Sequence, residues 1–135
     1  MARNWRSILT AVVLAAGASV PVLLAVEASR EPACDRGCLL DFTNQYLNAM
    51  LAHDPSGLRV ASDLTTTENG KPLRLGEGLW TTAKAISVQQ SFADAAAGET
   101  GSFGVVQKES GERNRFALRV KVEHQQIVEV EILVE

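Results

Sequence analysis

The residue best suited to chemistry in this chain is a carboxyl beside a turn. Glu68, in the stretch Thr67-Glu68-Asn69-Gly70, would share one strand face with Leu64 and Thr66. Turned inward with them, near Phe42 and Trp80, a carboxyl is placed where general acid or base chemistry is built. Tyr46, at the middle of a helix core face, could donate its hydroxyl to a carbonyl or oxyanion. Both residues also have structural readings. A Glu next to Asn-Gly can cap a backbone N–H of the turn or of the short helix after it, or line a pocket without reacting. A Tyr on a helix core face is commonly part of the core, with its hydroxyl satisfied.

The other reactive residue types support less. Cys34 and Cys38 are four apart in Cys-Asp-Arg-Gly-Cys. On a helix their Cα atoms would lie about 6 Å apart, within reach of a disulfide in an oxidising compartment. Such a bridge would pin the first turn of the helix. Zinc wants four ligands, and His53 and His124 stand far from the cysteines and from each other, so no metal site is expected. His53 falls in the last helical turn, where the helix dipole favours a basic group. Leu75-Gly76-Glu77-Gly78-Leu79-Trp80 lacks the third glycine of a dinucleotide fingerprint and the strand-to-helix unit around it. There is no phosphate loop and no nucleophile elbow, and no cofactor is expected.

The elements that position these residues follow from periodicity. Leu39, Phe42, Tyr46, Ala49, Met50 and His53 recur at steps of three and four, predicting a helix over 39–53 that Pro55 ends. Threonine-rich 63–69 reads as a strand, Asn69-Gly70 as a tight turn, and 73–75 as a short return strand. Residues 76–86 have room for a helix of two or three turns carrying Leu79, Trp80 and Ala83 on one side. Four strands follow, over 86–92, 102–109, 115–123 and 126–134. In the last two, Phe116, Leu118, Val120 and Val122 alternate with Arg119 and Lys121, and Val128, Val130, Ile132 and Val134 alternate with Glu129 and Glu131. A three-residue loop, His124-Gln125-Gln126, brings apolar opposite apolar and pairs Lys121 with Glu129 and Arg119 with Glu131. The fold class is therefore α+β, helices packed on one side of a mostly antiparallel sheet.

A chain of 135 residues has the length of one domain. Arg3 and Arg6 precede an apolar stretch, Ile8 to Val26, so residues 1–28 read as an export signal, or as an uncleaved anchor that Pro21 interrupts. The domain proper is then 29–135, and the protein is secreted or extracytoplasmic. Removing the signal leaves 11 Lys and Arg against 15 Asp and Glu. That balance, with basic residues scattered among acids and few aromatics, offers no surface for nucleic acid. Membrane contact is expected only through an uncleaved N-terminal segment.

From Cys34 to Val134 the chain resembles the nuclear-transport-factor-2-like superfamily (SnoaL-like, ketosteroid-isomerase-like). More narrowly, Tyr46-Leu-Asn-Ala-Met-Leu-Ala-His-Asp-Pro-Ser56, the run from Thr67 to Trp80, and the run from Ala117 to Val134 resemble an uncharacterised family of exported bacterial and fungal proteins. The resemblance implies a cone: a long N-terminal helix and a short one packed on a strongly curved sheet, with a cavity between. It implies that Phe42, Tyr46, Thr66, Glu68 and Trp80 line that cavity. Few charged residues fall on the inferred cavity face, so the expected function is binding of a small, largely apolar molecule. The alternative is a cofactor-independent lyase, isomerase or hydrolase with Glu68 as acid or base and Tyr46 polarising the substrate. A second copy of the chain is a candidate partner through the sheet.

Overall fold

The computed structural model describes residues 33–135. The expected signal or anchor over 1–28 lies outside them. Among the described residues no helix is long and apolar enough to cross a membrane.

Helix α1 runs Arg36–Ala52, beginning three residues before its apolar period because Asp35 caps it. The Asp35 carboxylate accepts from the Cys38 backbone N–H at 2.9 Å, satisfying one of the donors a helix start leaves open. Cys34 and Cys38 are joined in a disulfide across this first turn, which is consistent with an extracytoplasmic location. The helix stops at His53, which takes a left-handed conformation with φ 55° and returns its N–H to Met50. The face carrying Leu39, Phe42, Thr43, Tyr46, Leu47 and Met50 is buried.

Six strands form one curved, mostly antiparallel sheet: β1 Val60–Glu68, β2 Lys71–Pro72, β3 Ala83–Asp94, β4 Glu99–Lys108, β5 Arg113–Glu123 and β6 Gln126–Val134. Their order across the sheet is β2-β1-β6-β5-β4-β3. The one parallel neighbour pair is β1 with β6, where Thr66 stands beside Val130 and Glu68 beside Ile132. Helix α1 covers one face, burying Phe116, Leu118, Val120, Val122, Ile127, Val130 and Ile132 against its own apolar side. The other face, called here the outer face, carries Arg119, Glu129 and Glu131.

Several sequence expectations change. The short helix over 76–86 is a single 3-10 turn, Gly78–Thr81, and Ala83 to Ile86 already belong to β3. Gly76 and Gly78, with φ of 93° and 66°, break a regular helix before it starts. The return strand sits at Lys71–Pro72 rather than 73–75. What reads as a long loop after β3 is a tight turn, since Asp94 caps the N–H groups of Ala96 and Ala97 and Glu99 restarts the ladder.

The β5–β6 hairpin keeps the anticipated pairs, Lys121 opposite Glu129 and Arg119 opposite Glu131, by another route. Its loop has two residues, His124 and Gln125, both with positive φ (48° and 58°), and Glu123 pairs with Gln126. The register then shifts by one between Lys121 and Val122, because Val128 bulges out of the ladder. A two-residue turn plus a bulge does the work assigned to a three-residue loop.

Candidate functional site

An inner cleft and an outer trough flank the sheet, one on each side. The inner one is the expected site, and the structure does gather most of its residues. Trp80 Nε1 donates to the Tyr46 hydroxyl at 2.8 Å, and the two rings meet edge to face with centroids 5.3 Å apart. Glu68 lies on the same inner face of β1 as Thr66, and its Oε2 accepts from the Leu79 backbone N–H at 2.7 Å. It thereby holds the start of the 3-10 turn that carries Trp80. Gly78 is required there: a Cβ would overlap the Glu68 carboxylate and Leu73. Thr66 donates its hydroxyl to the Leu73 carbonyl. Phe42 is buried with its ring capped by the Arg59 guanidinium, 4.6 Å from the centroid.

Burial, opposed by the Trp80 hydrogen bond and reinforced by the Glu68 charge, pushes the Tyr46 phenol up to about 12. Its hydroxyl stays protonated at any physiological pH and already has a partner. The cleft that Tyr46, Thr66, Glu68 and Trp80 line encloses only about 10 Å³, the space of a single water. The Thr66 hydroxyl, Glu68 Oε2 and the Trp80 indole N–H are each engaged by another part of the fold. The arrangement can brace the 3-10 turn against α1, and it leaves no room for a substrate in this conformation. His53 lies apart from it, its Nε2 within 2.7 Å of the Ala83 carbonyl, tying the end of α1 to the start of β3.

The outer face is different. Strand register aligns Phe92, Gly101, Arg119 and Glu131 in one row, and Gln90, Phe103, Ala117 and Leu133 in the next. Gly101 has no side chain, so the Phe92 ring folds over it where a Cβ would overlap, and reaches Phe103 at 6.4 Å between centroids. The result is an open trough of about 470 Å³, walled by Phe92, Phe103, Ala117 and Leu133. Arg119 closes one end, held by Glu99 (3.3 Å), Glu129 (2.5 Å) and Glu131 (3.4 Å). A second hollow of about 270 Å³ continues past Ala117 and Leu133 to Arg115 and Glu135. Phe92 and Phe103 are 55% and 49% exposed, and Leu133 49%, so this apolar surface is open to solvent.

Sequence reasoning missed this trough, yet a signal was present. The charged alternation of β5 and β6 breaks once on each strand, at Ala117 among Arg115, Arg119 and Lys121 and at Leu133 among Glu129, Glu131 and Glu135. Those two breaks are direct register partners.

Comparison with known proteins reaches the fold and stops there. No family model matches the chain, and no curated protein matches it. Among solved structures it is similar to a protein from Sphaerobacter thermophilus, at 15% identity over 71% of this chain and 94% of that one, with a TM-score of 0.57. It is similar to a protein from Kribbella flavida, at 14% identity over 71% and 85%, TM-score 0.56. A de novo designed protein with a curved β-sheet aligns at 13% identity over 75% and 88%, TM-score 0.62. The class is thus an α+β domain of helix on curved sheet, compatible with the superfamily the sequence resembles. A designed chain can share this fold, so the fold by itself carries no activity.

Proposed function

We propose that this is a nuclear-transport-factor-2-like, exported domain that binds a small, largely apolar molecule and does not transform it. The observation that carries the reading is the contrast in space: about 10 Å³ beside Glu68 and Tyr46 against about 470 Å³ between Phe92, Phe103, Ala117 and Leu133. Ligand pockets commonly span about 300–1,000 Å³, mostly apolar with a few fixed polar groups. The trough fits that description, with Arg119 and its carboxylates as the polar end. The binding place therefore moves from the inside of the cone to the outer face.

Native mass spectrometry of the protein purified from its exported form, with a denatured run beside it, tests this. Extra mass lost on denaturation, absent from Phe103→Ser and retained by Glu68→Gln, is the expected result. Mass that follows Glu68 instead would return the site to the interior and revive the acid–base reading. The same spectrum reports whether residues 1–28 have been removed.

A further inference from the structure

We infer that the outer trough selects a small organic cation, an apolar body carrying one ammonium head, with the head toward the β3–β4 turn. The inference rests on the binding reading above and names the ligand class for that same site.

The outer face is graded along its strands. Successive outward-facing rows lie about 7 Å apart, two residues of strand rise. The row of Gln90, Phe103, Ala117 and Leu133 carries no charge. The next row toward the β3–β4 turn holds Phe92, Gly101, Arg119 and Glu131, and the one beyond it Asp94, Glu99, Lys121 and Glu129. A molecule lying along the trough therefore passes from an apolar floor to charged groups within its own length.

The charged end is acidic on balance. Among the residues that line the trough, Asp94, Glu99 and Glu131 are opposed by Arg119 alone. Arg119 takes one oxygen from each of three carboxylates, Glu99, Glu129 and Glu131. A guanidinium has five N–H donors, whereas each carboxylate has two oxygens that can both accept more than once. The acceptors outnumber what Arg119 can take. Lys121, in the outermost row, is paired with Glu123 at 2.9 Å. An anionic head would meet a guanidinium already served by three carboxylates, while a cationic head meets the surplus. The opposite end is not acidic: Arg115 is matched by Glu135 at 3.0 Å, and Arg113 reaches the Ser87 hydroxyl. The field along the trough draws a cation to the β3–β4 end.

The aromatic walls favour the same ligand. The Phe92 ring lies over Gly101, in the row that leads to Arg119, and meets Phe103 at 6.4 Å between centroids with the ring planes inclined by 51°. Inclined aromatic faces beside surplus carboxylate are surroundings that bind ammonium groups, quaternary ones above all. The open side of the trough suits such a head. In a closed cavity it would have to shed its water, whereas here it stays hydrated while the apolar body covers Phe103, Ala117 and Leu133.

Amide chemical-shift titration of isotope-labelled protein, purified from its exported form, tests this with three probes of one chain length: octyltrimethylammonium, 1-octanol and octanoate, each in the submicellar range. Shifts are expected at Gly101, Phe103, Ala117 and Leu133. Exposed ion pairs and cation–π contacts each contribute little, and together they should make the cation bind about tenfold tighter than octanol, with octanoate weakest. The margin should shrink between about 0.02 and 0.5 M salt. Glu99→Gln with Glu131→Gln, both at exposed positions, should leave octanol binding unchanged and bring the cation to within about twofold of it. Octanol binding as tightly as the cation overturns the inference and leaves the binding reading standing. Tightest binding of octanoate, or a cation preference that survives the double variant, also overturns it. Trough amides that respond to none of the three probes sink both readings together.

Discussion

Tyr46 is the only tyrosine in the chain, so its titration can be followed without overlap from any other phenol. Burial of the phenolate raises its pKa from 10.0 to about 12, partly offset by the Trp80 N–H and aided by the Glu68 charge. Two units correspond to roughly 2–3 kcal/mol of preference for the neutral phenol in the folded state. The sign follows from proton binding: the folded chain holds this proton more tightly than the unfolded chain. The contribution is fully present below about pH 10 and is lost as pH rises from there through about 12. A rapid pH jump, recording tyrosinate absorbance before the protein unfolds, should give a midpoint near 12 in the folded state. Urea melts should show stability declining across the same window. Glu68→Gln removes the like charge and should move the midpoint down. A folded protein whose tyrosine titrates at its ordinary value would refute the placement of Tyr46 in a dry, hydrogen-bonded core.

Other expected outcomes concern how the fold is held. Glu68→Ala leaves the Leu79 N–H without its charged acceptor and should cost about 1.5–3 kcal/mol in urea denaturation, with Glu68→Gln costing about half as much; equal stability for the Ala variant would remove the cap from the account. Gly104→Ala drives a Cβ into the Val88 backbone carbonyl and should destabilise by at least about 3 kcal/mol. Gly111→Ala, in open space at φ 88°, should cost only about 1–2 kcal/mol, and the two variants compared by thermal melting check the close approach of β3 to β4. Reducing Cys34–Cys38 should lower stability by no more than about 2 kcal/mol, because the closed loop is so short, with hydrogen exchange rising mainly in the first turn of α1.

What could be read in the sequence was what one element states alone. The face of α1 is legible because Leu39, Phe42, Tyr46 and Met50 repeat at its own period. The β5–β6 pairs are legible because both strands alternate and their charges oppose. The hairpin loop was not, because parity arguments assume an unbroken ladder and Val128 breaks it. The start of β3 was read as helix because Leu79, Trp80 and Ala83 imitate a helical face, while the glycines before them dictate a single 3-10 turn. The parallel partnership of β1 with β6 leaves no local mark at all. The surroundings of Glu68 depended on that partnership, since it sets Ile132 beside it. The trough was hidden for a related reason: Phe92, Phe103, Ala117 and Leu133 come from four strands, and only the assembled register brings them together.

That parallel pairing also fixes when the domain can be finished. β1 is joined to the rest of the sheet through β6, so Thr66 must wait for Val130 and Glu68 for Ile132. A chain emerging from the ribosome can close α1 and the β3–β4 ladder early, yet β1 and β2 have no seat until the final strand arrives. Contacts so distant in sequence form slowly, because the loop-closure entropy is spent before the pairing rewards it. Until β6 pairs, the inner face of β1 that carries Thr66 and Glu68 has nothing to stand beside, and the 3-10 turn that Glu68 caps stays unanchored.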